Sequence, residues 1–166
     1  MGKKTSLFKK HVSLGAKIVD FSGWDMPVHY GSQIAEHHAV RRDAGVFDVS
    51  HMTVIELHGT DALPYLNRLL ANDIGPRRLF GKAMYSAMLN ETGGILDDLM
   101  VYATGDSYLV VGNCSTRAKD LAWMKKTAEP YDCQVLERPE LAILAIQGPK
   151  ALEKVKSVAG KDRATF

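Results

Sequence analysis

The sequence predicts an α+β fold: a ferredoxin-like split βαβ sheet with an extra strand, beside part of a second α+β domain. Three observations predict it. From Met52 to Leu136, β-rich runs and apolar-striped helical runs follow the order strand, helix, three strands, helix, strand. The three middle strands are separated only by short turn-rich stretches, Glu91-Thr92-Gly93-Gly94 and Thr104-Gly105-Asp106-Ser107, so they meander antiparallel. Beyond Leu136, the strand over Leu141 to Ile146 has no obvious local partner, and no closing element precedes Phe166. That pattern implies a domain completed by missing C-terminal sequence. The expected division is an incomplete, discontinuous first domain over 1–51 and 138–166, and a ferredoxin-like domain over 52–137.

Element by element, a short apolar piece runs from Ala16 to Phe21, followed by a turn-rich run from Ser22 to Pro27. Ser32 is placed to cap a helix over Gln33 to Asp43, with Gly45 as its stop. Val54 to Leu57 reads as a strand. Thr60 then caps a helix whose apolar face is Leu63, Leu66, Leu69 and Leu70, with Pro64 tolerated in the first turn. Asn72 to Arg78, holding Gly75-Pro76, is a loop. Strands follow over Lys82 to Leu89, Ile95 to Ala103 and Tyr108 to Gly112. Ser115 caps a helix to about Ala128, Cys133 to Leu136 is a short strand, and Gly148-Pro149 opens a helix to about Val158.

Composition narrows the function classes. The chain has 166 residues, 46% hydrophobic and 24% charged, with a formal net charge of +2, so it can bury a core without staples. Its basic residues form no stripe, which argues against nucleic acid. No apolar run reaches the length of a membrane span, and the start lacks a secretory pattern, so a cytoplasmic protein is expected. Gly2 with Ser6 fits only the loose myristoylation pattern. Cys114 and Cys133 are too far apart for a CxxC motif. No HxxxH or HExxH spacing exists among the six histidines, and no metal site is expected.

The chemistry concentrates in Gly93-Gly94-Ile95-Leu96-Asp97-Asp98-Leu99-Met100-Val101-Tyr102. Alternation puts Asp98 on one face with Leu96, Met100 and Tyr102, and Asp97 on the other, so the two carboxylates are not a catalytic pair. If both hairpin loops are even, Asp98 lies between Ala87 and Asn113, Met100 between Tyr85 and Val111, and Tyr102 between Ala83 and Leu109. One face then carries Tyr85, Asp98, Met100, Tyr102, Val111 and Asn113, with two alanines leaving space. A flat ring with polar edges suits it: phenols as walls, Met100 and Val111 beneath, and Asp98 accepting from ring N–H groups. The alternative is a half-buried face covered by the two helices, with Asp98 satisfied by Asn113 or by the backbone. Cys114, beside Asn113, reads as packing.

Several segments occur here in the order found in glycine-cleavage T proteins. They are Val19-Asp20-Phe21, Gly23-Trp24, Met26-Pro27, Phe47-Asp48-Val49-Ser50-His51-Met52, Gly81-Lys82-Ala83-Met84-Tyr85-Ser86, Gly93 to Asp98, and Gln147-Gly148-Pro149. The chain therefore resembles the N-terminal half of that family of tetrahydrofolate-dependent aminomethyltransferases. The resemblance implies a pterin site in the 52–137 domain, lined by Met52, Tyr85, Asp98, Met100, Tyr102, Val111 and Asn113, with Asp98 catalytic. It implies tetrahydrofolate as co-substrate and a lipoylated H protein as partner, in the cytoplasm or, in a eukaryote, the mitochondrial matrix. It also implies that this half is inactive alone, because the family's further site residues come from its second half. Glu56 stands where some members make an apolar contact. Lys3, Lys4, Lys9, Lys10, Arg41 and Arg42 could form a docking surface for the H protein or the folate's glutamate tail. Other readings remain: the folate domain of a dimethylglycine- or sarcosine-type enzyme, a non-catalytic relative used in iron–sulfur maintenance, or an interaction domain without a ligand.

Overall fold

The structure is a computed structural model that describes residues 2–75 and 80–159. The chain forms two compact units, Met1–His51 with Ala142–Phe166, and Met52–Leu141. The Pro76 end of the expected 72–78 loop lies outside the described residues.

The first unit is built from two-stranded ribbons. Helix α1 (Phe8–Ser13) precedes β1 (Lys17–Phe21) and β2 (Trp24–His29), which pair antiparallel around Ser22-Gly23. Both turn residues have positive φ, 52° and 82°, as a two-residue hairpin that follows strand twist requires. The turn-rich run is therefore half strand. Pro27 is tolerated because a two-stranded ribbon leaves N–H positions outside the ladder. Ser32 caps α2 (Gln33–Arg42), its Oγ accepting from Ala35 N at 3.3 Å. Gly45 does not stop that helix; it opens β3 (Gly45–Asp48), which pairs antiparallel with β9 (Leu144–Gln147). The C-terminal strand thus has a partner, about a hundred residues upstream. Helix α5 (Ala151–Ala159) follows.

A polar clasp holds α1 in this unit. The buried His11 ring lies 2.9 Å from Asp48 Oδ2 through Nε2 and 2.7 Å from the Tyr30 hydroxyl through Nδ1. Nothing in the hydrophobic periodicity signals this link, because His11 and Asp48 are 37 positions apart.

The second unit is a five-stranded sheet backed by two helices. Its elements are β4 (Thr53–His58), α3 (Ala62–Leu69), β5 (Ala83–Leu89), β6 (Ile95–Ala103), β7 (Tyr108–Gly112), α4 (Arg117–Ala128) and β8 (Gln134–Glu137). The strand order is β5-β6-β7-β4-β8, and every neighbouring pair is antiparallel. The three-strand meander ends with β7 beside β4 and running opposite to it, and β8 flanks the other side of β4.

The core lies on one face only. Leu57, Tyr65, Leu66, Met88, Val110 and Met124 are fully buried, with Ile55, Leu69, Leu99 and Val101 nearly so. Tyr65 anchors α3 to α4, its hydroxyl donating to the Met124 carbonyl at 2.8 Å. Two expected helix caps are replaced by longer-range bonds. Thr60 donates to Asp132 Oδ2 at 2.8 Å, and no side chain caps α3. Ser115 is not the cap of α4; Thr116 holds that position and donates instead to Asp97.

Gly59 has φ of +130°, and an added Cβ would sit 2.0 Å from the Asp132 carbonyl oxygen. Gly59→Ala therefore forces backbone apart and is expected to destabilise the unit by on the order of 3 kcal/mol. A urea titration checks this; a midpoint equal to that of the native chain would contradict it.

Candidate functional site

Which side of the sheet is open follows from register, and the register is as anticipated by a different route. The five residues 90–94 between Leu89 and Ile95 form an odd loop, which alone would slip the pairing. A bulge between Met88 and Leu89 absorbs the extra residue, so Met88 pairs with Asp97, Ala87 with Asp98, Tyr85 with Met100 and Ala83 with Tyr102. Asn90 fixes the loop, its Oδ1 accepting from the N–H groups of Gly94 at 2.7 Å and Thr92 at 3.0 Å. On the other side Met100 pairs with Val111 and Tyr102 with Leu109.

The face opposite the helices thus carries Tyr85, Asp98, Met100, Tyr102 and Val111. The two helices do not cover it: Tyr85 is 63% and Tyr102 38% exposed, while Leu99 and Val101 on the reverse side are buried. Met100 and Val111 are half-buried, as a floor between exposed phenols would be. The β4–β7 ladder ends with Thr53 opposite Gly112, and Met52 and Asn113 lie just beyond its end.

Asp98 is held in place rather than satisfied. Its Oδ2 accepts from the Tyr85 hydroxyl at 2.8 Å, a diagonal cross-strand pair. That hydrogen bond, more than burial, pushes the exposed Tyr85 phenol above its ordinary range. The Asn113 amide donates elsewhere than to the Asp98 carboxylate. Strand β7 ends at Gly112, and the Asn113 amide turns to Asp97 Oδ1 at 2.9 Å and the Asp98 backbone carbonyl at 3.2 Å.

Asp97, on the opposite face, belongs to a network that pattern reading missed. Its Oδ2 accepts from the Thr116 hydroxyl at 2.6 Å, at the start of α4. One turn on stands Asp120, buried, with Lys119 Nζ 3.6 Å from its Oδ1. Burial, then the neighbouring Asp97 carboxylate, pushes the Asp120 carboxyl up to about 6. Burial also acts on Asp97, but hydrogen bonds from Thr116, Asp120, Asn113 and the Asp98 backbone outweigh it and hold its carboxyl below the usual range. The signal in the sequence is the spacing of Thr116 and Asp120, which puts both on one side of α4.

Glu56 faces the same open side, paired with Leu109. Its carboxylate is bound by Arg138 and accepts from Ser107 Oγ at 3.1 Å, so this edge is a neutralised ion pair rather than a free charge. Burial pushes the Cys133 thiol up to about 11, which leaves little thiolate near neutral pH. Among the described residues no three His, Cys, Asp or Glu side chains converge as metal ligands, and no helix is long and apolar enough to cross a membrane.

The second unit is thus an antiparallel α+β sheet whose open face gathers one carboxylate, two phenols and an apolar floor. The GCVT N-terminal domain model matches residues 7–165, and the chain belongs to that glycine-cleavage T family. It is 55% identical over 164 residues to an aminomethyltransferase of Pseudomonas syringae pv. tomato, covering 99% of this chain and 46% of that one. It is 56% identical over 168 residues to one of Stenotrophomonas maltophilia, covering all of this chain and 45% of the relative. The crystal structure of glycine cleavage system aminomethyltransferase T from Bartonella henselae superposes with a TM-score of 0.89 at 35% identity, over 96% of this chain and 44% of that one. The chain spans somewhat less than half the length of these relatives.

Linkage fixes the sign of one pH effect. The folded-state affinity of Asp120 for its proton exceeds that of an ordinary carboxyl at 3.8, so its contribution to stability is complete below about pH 4 and lost as pH rises through about 6. Asp120→Asn removes that loss. Its stability relative to the native chain is expected to rise between pH 4.5 and 7 by on the order of 2 kcal/mol, measured by denaturant titration at each pH. A difference that stays flat with pH would refute the assignment.

Proposed function

We propose that this chain is the pterin-facing half of an aminomethyltransferase of the glycine cleavage system. The reaction moves the aminomethyl group from the lipoyl thioether of the H protein to tetrahydrofolate, releasing ammonia and leaving methylenetetrahydrofolate and dihydrolipoyl protein. The observation that carries the reading is the open face of β5–β6–β7, where the Asp98 carboxylate is fixed by Tyr85 above Met100 and Val111. A reduced pterin fits the chemistry of that face. Tyr85 and Tyr102 supply walls for the ring, Met100, Val111 and Met52 supply apolar contact, and Asp98 and Asn113 supply polar partners for the ring edge.

Asp98 would act by electrostatics. Positive charge develops at the folate nitrogens as the one-carbon unit is taken up, and a carboxylate already oriented by a phenol stabilises it without reorganising. The reverse face helps indirectly. Buried Leu99 and Val101 on either side of Met100 keep β6 from shifting when the ring docks. The natural setting for this chemistry is the cytoplasm, or the mitochondrial matrix in a eukaryote.

Two outcomes are expected. In a full-length enzyme carrying this half, Asp98→Asn should lower turnover with lipoylated H protein and tetrahydrofolate by roughly a hundredfold, the scale of one lost electrostatic contact in a transition state. Turnover close to that of the unmodified enzyme would remove Asp98 from the mechanism. The 166-residue chain alone should bind tetrahydrofolate weakly or not at all, because it spans less than half the length of its relatives; calorimetry showing micromolar affinity would contradict this.

A further inference from the structure

We propose that Asp97 and Asp120 form a one-proton latch between β6 and the start of α4, with Asp120 as a positioning residue for the strand that carries Asp98. A proton held between the two carboxyls closes the junction. Its loss sets two like charges against each other and opens it. The bearing on turnover rests on the reading of the open face given above; the latch itself does not.

The junction brings together two acids from facing elements. Asp97 stands half-buried on the closed face of β6, and Asp120, buried in the first turns of α4, has its carboxyl within hydrogen-bond reach of it. Two carboxyls so placed away from water do not both ionise without strong repulsion, so the stable state keeps a proton between them. Which acid carries it follows from the donors. Thr116 donates to Asp97 Oδ2 at 2.6 Å and Asn113 to Asp97 Oδ1 at 2.9 Å, which favours Asp97 as the ionised acceptor. Asp120 Oδ1 has no hydrogen-bond partner among the described residues. Asp120 therefore carries the proton and donates it to Asp97.

The surrounding charges do little to relieve the pair. Lys119 Nζ lies 3.6 Å from Asp120 Oδ1 but is bonded to the Leu96 carbonyl at 2.6 Å. Arg117, at the start of α4, is taken up by Glu137 of β8. From the end of β7 comes the neutral Asn113 carboxamide, and α3 meets α4 through Tyr65, whose buried phenol stays protonated. The bonds that fasten α4 to β6 run through the same atoms. Thr116 and Asn113 both end on Asp97, the Asp120 N–H bonds back to the Thr116 carbonyl at 2.9 Å, and Asn113 also holds the Asp98 carbonyl at 3.2 Å. Ionisation of Asp120 thus acts on the anchor of β6, one residue from Asp98.

The test begins with the unaltered 166-residue chain, isotopically labelled, so that no variant has to fold. By NMR the Asp120 carboxyl carbon should titrate with a midpoint of about 6, and the Asp97 carboxyl and Asn113 carboxamide signals should move with it. Protection of the Asn113 carboxamide protons, corrected for the intrinsic pH dependence of exchange, should fall through the same step. The limit is about a hundredfold, set by a proton affinity raised from 3.8 to about 6. An Asp120 midpoint at its ordinary value, or Asp97 and Asn113 signals that ignore the Asp120 step, overturns the latch. Asp120→Asn keeps a donor toward Asp97 without the charge, so the step and the loss of protection should both vanish; their persistence in the folded variant overturns it too. In Asp97→Asn the Asp120 midpoint should fall, and an unchanged midpoint would make burial its whole cause and refute the pair. Turnover of a full-length enzyme carrying this half, with lipoylated H protein and tetrahydrofolate, should change through a step at about pH 6 that Asp120→Asn lacks. Identical pH profiles would refute the positioning role. No turnover at any pH would refute the aminomethyltransferase reading, while the NMR titration still decides the latch.

Discussion

The pairing register of β6 is the constraint on which the second unit depends. Side chains alternate faces with a period of two, so one residue of slip would exchange Asp98, Met100 and Tyr102 for Asp97, Leu99 and Val101. That exchange would drive a carboxylate and a phenol into the core and put aliphatic groups in water. The five-residue loop after β5 taken alone favours such a slip. A bulge at Met88 and Leu89 cancels it, and the Asn90 side chain holds the loop in that state through bonds to Gly94 and Thr92. Fully buried Met88 beside the bulge gives the native register an apolar term that a slipped one would forfeit.

The adjacent acids on β6 show how one strand serves two environments. Asp98 stands on the open face with a phenol as partner, and its other oxygen is uncommitted. Asp97 stands among Thr116, Asn113 and the buried Asp120 on the closed face. Burying two neighbouring carboxyls carries a cost, visible in the raised proton affinity of Asp120. A purely apolar junction between β6 and α4 would avoid that cost, so stability alone does not account for the arrangement. What the acids supply is direction, since hydrogen bonds fix angles and rotamers where aliphatic contacts do not.

Much of the second unit was legible because its signals are local. Alternation in Ile95 to Ala103 and the turn residues on both sides defined three strands within a residue of where they lie. The face carrying Tyr85, Asp98, Met100, Tyr102 and Val111 was expected on the premise of even loops; the first loop is odd, and it is the bulge, which no turn signal announces, that restores that register. What escaped depended on distant partners. Thr60 and Thr116 flank the starts of α3 and α4, but each hydroxyl donates to a distant carboxylate, Asp132 or Asp97, and neither helix has a side-chain cap. The bonds of the Asn113 amide escaped because it lies one residue past the end of β7, where alternation no longer dictates direction. In the first unit the partner of the last strand, and the clasp of His11 with Asp48 and Tyr30, join residues whose spacing leaves no periodic trace.

The contrast between the two faces bears on how an exposed site stays ordered. An open surface has few packing contacts of its own, so the positions of Asp98 and Tyr85 must be inherited from beneath. Leu99 and Val101 are set into the same core as Leu66 and Met124, and a core at crystal-like density does not permit them small displacements. Lys119 adds a bond from α4 to the Leu96 carbonyl at 2.6 Å, beside the Asn113 bond to the Asp98 carbonyl. Leu99 and Val101 thus tie β6 to the helix layer by apolar packing, Lys119 and Asn113 hold its Leu96 and Asp98 carbonyls, and the side chains of Asp98, Met100 and Tyr102 stand on the open face. Precision at the exposed carboxylate is then a property of the buried face.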